Sequence, residues 1–384
     1  MIFDLLIFVF LLFFLIKKLN ITKLNNEIIE KSQFLIKNIP IFKDNKYIEY
    51  IKNPKTKTFS ILSYNILSQR YMKRKEIKSL ELEKRIPKII KEIKEEKVDL
   101  FCLQESTFEV YQKYLLNSFN EYNIITYDNA GSYLMNVIGV KKKRFEILSE
   151  SKFDLSNNII DITGNRGIIN IKIKDKLFKD KIISLFNVHF PWKPIYEYQK
   201  ARILNIIFEF ILQNQNDIII ISGDFNSIPN SVPIRMIYYN DWINEFNDNK
   251  NYIGNFIFTK SEIDLIKEMR IKMRKRENFR NTMNNIFNNS KFVYEKYFLR
   301  SAYDEYKKGD NYEKKSNYDF LRFHPDYTNY TNNFINTIDY IIYSKYLNKV
   351  KILKIPLISK DYLPNEIYPS DHLKLYVEFE YTKK

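Results

Sequence analysis

Residues 217–222 read Asp-Ile-Ile-Ile-Ile-Ser, and these four consecutive isoleucines constrain the fold more than any other stretch of the chain. β-Branched side chains favour extended backbone, and successive residues of a strand point to opposite faces. A strand apolar on both faces must be covered on both, so it belongs inside a layered architecture. The run leaves through Ser222-Gly223-Asp224-Phe225-Asn226-Ser227, in a chain with only seven glycines. Alone, that hexapeptide is a turn signal. It gains chemical meaning if other buried strands end in the same way.

Several do. Asn65 follows "ILSY", Glu105 follows "LFCLQ", Asn187 and His189 follow "ISLF", Asp339 follows "NTI", and Asp371 with His372 precedes "LKLY". A lone Glu at a strand end is usually solvated, and a lone His on an apolar element is usually a core residue. With Asp224 and Asn226 the set comprises six strand ends, which is not a chance pattern. Helical spacing of apolar residues over Leu80–Glu96 and over 197–215 places helices between some of these strands. Strands also follow one another without helices, as in "SYLMNVIGVKK", "RGIINIKIKD" and "KIISLFNVHF". The expected class is therefore an α/β sandwich rather than a strictly alternating doubly wound fold.

The residue types suit displacement at phosphorus. A hard cation such as Mg²⁺, with Mn²⁺ as an alternative, takes oxygen ligands, which Glu105 offers with help from Asn65 or Asp371. Asp224 suits positioning and activating water. Asn226, His189 and Asn187 offer donors to phosphate oxygens, and Asp339 is placed to orient or charge His372.

In order along the chain, "ILSYNILSQ", "LQE", "NVH", "SGDFNSIPNS", "IDYIIYS" and "PSDH" resemble the motifs of the endonuclease/exonuclease/phosphatase superfamily. "LRSAYDEY" and "TNYTNNFINTIDYIIYS" look like its branch of carbon-catabolite-repressor-type deadenylases with their angel, nocturnin and 2′-phosphodiesterase relatives. The resemblance covers residues 58 to 380. It implies the DNase I-like fold, a four-layered α/β sandwich of two packed mixed sheets flanked by helices. It implies Glu105 as metal ligand, with Asn65, Asp224, Asn226, Asp339, Asp371 and His372 in the catalytic set and His189 stabilising the scissile phosphate. It also implies Pro194 and Phe334 as a clamp on the terminal base. The function implied is Mg²⁺-dependent 3′–5′ exoribonuclease activity on single-stranded RNA ends. Three alternatives stand beside it: an RNA-end, cyclic-phosphate or 2′,5′-phosphodiesterase, a membrane-associated lipid phosphodiesterase such as a sphingomyelinase, and a non-catalytic RNA-binding scaffold.

Residues 1–19 are expected to form a retained membrane anchor, because Ile2 to Ile16 is apolar but for Asp4 and ends at Lys17 and Lys18. Basic residues follow the run and none precede it, which directs the main domain to the cytoplasmic side, with the endoplasmic reticulum as the expected membrane. A cleaved signal peptide leading to a secreted or luminal protein is the alternative. Residues 20–55 are expected to be a polar linker and 56–384 the catalytic domain. With 62 Lys+Arg against 46 Asp+Glu the formal charge is +16, which suits a polyanionic partner, although genome base composition is a competing source of lysine. The single cysteine, Cys102, excludes an intrachain disulfide framework. A basic helix is expected over 258–281.

Overall fold

The computed structural model describes residues 46–74, 76–127, 133–155, 167–178, 180–193, 197–214, 217–238, 279–306, 323–358 and 361–382. The chain divides into Met1–Lys46 and Tyr47–Lys384, and the description below concerns the second unit. The expected anchor, Pro194 and most of the basic stretch 258–281 lie outside the described residues. Among the described residues no helix is long and apolar enough to cross a membrane.

The strands are β1 (Tyr47–Glu49), β2 (Phe59–Asn65), β3 (Leu100–Ser106), β4 (Tyr122–Tyr127), β5 (Met135–Lys141), β6 (Phe145–Asp154), β7 (Gly167–Asp175), β8 (Ile182–His189), β9 (Ile218–Asp224), β10 (Arg300–Ser301), β11 (Asn329–Tyr330), β12 (Ile335–Asn336), β13 (Asp339–Tyr343), β14 (Leu347–Leu353) and β15 (Leu375–Tyr381). Helices α1 (Leu82–Glu95), α2 (Glu197–Gln213), α3 (Val232–Tyr238) and α4 (Phe279–Tyr297) accompany them. One mixed sheet runs β1-β14-β15-β2-β3-β5-β4 and the second β10-β13-β9-β8-β7-β6, while β11 and β12 form a separate hairpin.

The isoleucine run explains the layering. Ile218 and Ile220 pack into the core between the sheets with Ile61, Cys102, Ile171 and Val377. Ile219 and Ile221 turn the other way, against Ile203, Ile207, Ile286 and Val293 of α2 and α4. On the first sheet, Leu62, Tyr64, Phe101 and Leu103 face Ile86, Ile89 and Ile93 of α1. The result is helix, sheet, sheet, helix, the expected four-layered sandwich. Each buried isoleucine contributes roughly 1.5–3 kcal/mol by removal from water.

Tyr47–Glu49, which the sequence places in the polar linker, pairs antiparallel with β14 as an edge strand. Its residues are only partly buried, which is why it reads as polar. α1 begins at Leu82 and runs through Pro87.

Candidate active site

The two parallel strand pairs, β2 with β3 and β8 with β9, end at the same edge of the sandwich. Register places Asn65 opposite Gln104 and His189 opposite Asp224. β13 runs antiparallel to β9, so its first residue, Asp339, also sits opposite Asp224. Asp371 and His372 arrive just ahead of β15, held by backbone bonds from Tyr330 N–H to the Asp371 carbonyl and from Leu373 N–H to the Thr328 carbonyl.

Gly223 makes this exit possible. Its φ is +143°, and a Cβ there would lie 2.0 Å from the Val188 carbonyl oxygen of the adjacent strand, so no side chain fits. Asp224 then accepts the backbone N–H of Asn226 at 2.8 Å, an Asx turn. Glu105 is aimed by different means. β3 carries one extra residue between Leu103 and Ser106 relative to β5, and Glu105 adopts φ +58° there. Bulges of this kind redirect a side chain next to functional sites.

The side chains meet. Asn65 Nδ2 donates to Glu105 Oε1 at 3.1 Å and to Asp224 Oδ2 at 3.0 Å, and Ser68 N–H donates to Glu105 Oε2 at 3.0 Å. His189 Nε2 lies 3.6 Å from Asp224 Oδ2 and 3.8 Å from Glu105 Oε1. His372 Nδ1 is 2.9 Å from Asp339 Oδ2, and its Nε2 is 3.8 Å from Asp224 Oδ2. Thr328, in the loop ahead of β11, donates its hydroxyl to Asp339 Oδ2 at 2.6 Å.

Burial raises the Glu105 carboxyl above its ordinary range, and Asp371 adds to the effect. Burial and the nearby Asp339 carboxylate push Asp224 up to about 7. Burial opposes a charged His372, but Asp339, Asp371 and Asp224 outweigh it and hold the imidazole well above its usual value. A cluster this acidic needs positive charge.

The donor set fits a hard cation. Asp371 Oδ1 is buried with no hydrogen-bond partner, an acceptor left open beside Glu105, whose pKa it raises. Among the described residues the tightest potential ligand group is a different one, Asp224, Asp339 and His372, whose ligand atoms lie within 4.8 Å of one another. There, however, His372 Nδ1 is already committed to Asp339. Asp371 keeps an open acceptor oxygen beside Glu105.

The three amides expected at the site are engaged in different ways. Asn187 gives its amide hydrogens to the carbonyls of Leu103 at 3.0 Å and Val137 at 2.9 Å and accepts from Gln104 Nε2 at 2.8 Å. It ties the sheets together and has no donor left for phosphate. Asn65 presents its nitrogen to the carboxylates, while its oxygen accepts the Leu67 N–H at 3.0 Å, so in this arrangement it joins the two acids. Asn226 donates from Nδ2 to the Phe190 carbonyl at 3.0 Å, which leaves one amide hydrogen for substrate. Phe334 is half-buried in the turn between β11 and β12.

Arg85 was not read from the sequence as a site residue. It is fully buried on α1 and donates to the carbonyls of Ile66, Leu67 and Pro369, linking the segment after Asn65 to the segment before Asp371. Ser370 Oγ adds a bond of 2.6 Å to the Asn65 carbonyl. These contacts go to backbone, which leaves no pattern in the side-chain sequence.

Residues 62–372 match the model of the endonuclease/exonuclease/phosphatase family, which covers most of the chain. The chain belongs to this family. Its members are hydrolytic nucleases and phosphatases. A probable 3′–5′ exoribonuclease subunit Ccr4 of the CCR4-Not complex from Enterocytozoon bieneusi is 24% identical over 321 residues, 74% of this chain and 55% of that protein. The Saccharomyces cerevisiae Ccr4 subunit is 24% identical over 377 residues, 85% of this chain and 39% of that protein. The chain thus spans about half the length of the curated relatives it matches. ANGEL2, described as a 2′,3′-cyclic phosphatase, superposes with a TM-score of 0.62 at 21% identity over 87% of this chain and 97% of that one. The human nocturnin catalytic domain gives 0.56 at 18% identity over 88% and 97%. These likenesses bear out the DNase I-like sandwich and the branch that the motifs resemble.

Proposed function

We propose that the chain is a divalent-cation-dependent phosphodiesterase that removes nucleotides from the 3′ end of single-stranded RNA as 5′-nucleotides. The observation that carries this reading is the convergence of Glu105, Asp224 and His372 at one edge of the sandwich, with Asn65 bonded to two of the acids at 3.0 and 3.1 Å.

Glu105 and Asp371 would hold the cation, most simply Mg²⁺, which when bound supplies positive charge to the phosphate and the departing oxygen. Asp224 Oδ2 positions water and accepts its proton as the oxygen attacks phosphorus, a task suited to a carboxyl held near 7. His372, kept protonated by Asp339, and His189 donate to the phosphate oxygens from either side of Asp224. The bond from phosphorus to the 3′-oxygen of the preceding nucleotide then breaks, and that oxygen takes a proton from solvent water to leave as the 3′-hydroxyl. Phe334, with Pro194, is assigned to stacking on the terminal base, a contact worth about 1–3 kcal/mol per base.

A second reading, hydrolysis of a 2′,3′-cyclic phosphate or a 2′,5′ linkage, draws on the fold shared with ANGEL2. We also assign residues 1–19 to a membrane tether with the catalytic unit on the cytoplasmic side. Protease protection of the terminal domain in sealed membranes would contradict that assignment. For the enzyme itself, the full chain is incubated with Mg²⁺ and 5′-labelled oligoadenylate, 2′,5′-linked oligoadenylate or a cyclic-phosphate-ended oligomer. Release of 5′-AMP from the first, absent in Glu105→Gln, is expected. Turnover of only the second or third substrate favours the second reading, and three intact substrates exclude both.

A further inference from the structure

A cavity of about 370 Å³ opens beside Asp371, within the range of small-ligand sites. One wall comes from the segment after β2, with Tyr71, Lys73 and Arg74; another is the turn 331–333 ahead of Phe334; Tyr362 stands on a third. The walls are braced in advance. Arg74 Nη1 bonds Asp361 Oδ1 at 2.8 Å and the Tyr362 carbonyl at 3.0 Å, which ties the first wall to the third. The Tyr362 ring leans on Tyr330 with centroids 5.8 Å apart, and Tyr330 packs on Tyr327 at 4.8 Å.

Exposure marks this groove as a recognition surface. Tyr71 is 50% and Tyr362 40% exposed, so both side chains are open to solvent. Lys73 is exposed and forms no ion pair among the described residues. Aromatic faces with a nearby ammonium are the chemistry of single-stranded nucleic acid: rings accept any base, and the cation accepts phosphate. Asp371, which also lines the cavity, belongs to the proposed cation site.

We propose that this groove is the subsite for the nucleoside on the leaving-oxygen side of the scissile phosphate, with Tyr71 and Tyr362 holding the base and Lys73 the next phosphate toward the 5′ end. This rests on the phosphodiesterase reading above. The terminal nucleoside is assigned to Phe334, so its neighbour extends from the phosphate away from that ring, and this groove borders Asp371 of the proposed cation site.

The test compares kcat/KM on oligoadenylate with kcat/KM on the p-nitrophenyl ester of adenosine 5′-phosphate, which lacks a nucleoside in the leaving group. In the full chain, Tyr71→Ala/Tyr362→Ala is expected to lower the oligomer-to-ester ratio about 10-fold or more. Tyr71→Phe/Tyr362→Phe, which keeps both rings, is expected to restore it. A ratio in the alanine variant equal to wild type overturns the groove while leaving the phosphodiesterase intact. Hydrolysis of the ester by wild type with no cleavage of any oligonucleotide overturns the RNA reading, and the groove with it. Should the double variant melt out, the same ratio is read in Lys73→Ala, whose exposed side chain forms no ion pair among the described residues; there an unchanged ratio likewise overturns the proposal.

Discussion

Asn65 and Asp224 are the last residues of central strands in two different sheets, and one hydrogen bond of 3.0 Å joins them. The same Asn65 amide holds Glu105 at 3.1 Å, so a single side chain sets the spacing between the acid assigned to the cation and the acid assigned to water. Asn65→Ala is therefore expected to lower kcat by about 100-fold through misplacement of both carboxylates. The loss of donors to two buried acids adds a stability cost of about 1–3 kcal/mol. Steady-state kinetics and urea melts on the same preparation separate the two effects; kcat within twofold of wild type would remove Asn65 from the site.

Cation binding should depend on pH in a defined direction. Glu105 and Asp224 have folded-state carboxyl groups raised by burial, Asp224 to about 7. A raised carboxyl pKa means the folded state holds protons that the unfolded state has released, so the metal-free protein loses stability from both groups as pH rises through their raised folded values, for Asp224 up to about 7. A bound divalent cation reverses that penalty by favouring the ionised forms. The increase in Tm produced by saturating Mg²⁺ is expected to be larger at pH 7.5 than at pH 5.5, and to shrink in Glu105→Gln. Equal gains at both pH values would place the ion away from these acids.

The parts of the molecule legible in advance were those where side chains report directly on their surroundings. The four isoleucines of β9 required cover on both faces, and both covers are present, which also located Asp224. Glu105, His189, Asp339 and His372 were legible because each ends or begins an apolar run. β14, by contrast, carries exposed or half-exposed Asn348 and Lys351 among its apolar positions, and β1 has no buried residue at all, so neither stands out against surface sequence. Asn187 misled for a physical reason. A buried amide at a strand end looks the same in sequence whether it faces substrate or, as here, the backbone of the opposite sheet.

Arg85 illustrates a contribution visible only in three dimensions. Burial lowers its pKa to about 10, which still leaves it charged at neutral pH. Its guanidinium serves carbonyls on the segments next to Asn65 and Asp371, so Arg85→Met leaves the Ile66, Leu67 and Pro369 carbonyls without that donor. A loss of about 3 kcal/mol is expected from urea unfolding. Arg85→Lys should recover only part of this, because an ammonium cannot reproduce the planar fork. Full stability in Arg85→Lys would show that charge alone matters there.

Thr328 belongs to the "TNYT" motif, and its hydroxyl works in both directions. It donates to Asp339 Oδ2 at 2.6 Å and accepts the N–H groups of Ile338 at 3.0 Å and Asp339 at 3.1 Å. Asp339 in turn keeps His372 protonated. Thr328→Val preserves the shape and removes the hydroxyl, so Asp339 loses its fixed orientation. We expect kcat to fall by about 10-fold, a modest share of the 10²–10⁴ typical of a positioned acid or base. Losing the donor also strengthens Asp339 as an acceptor for His372, so the alkaline limb of the kcat profile should move to higher pH. Thr328→Ser, which retains the hydroxyl, should restore both the rate and the limb. A packing role alone predicts the opposite order, with valine tolerated and serine destabilising, and melting curves of the two variants beside their pH profiles decide between them.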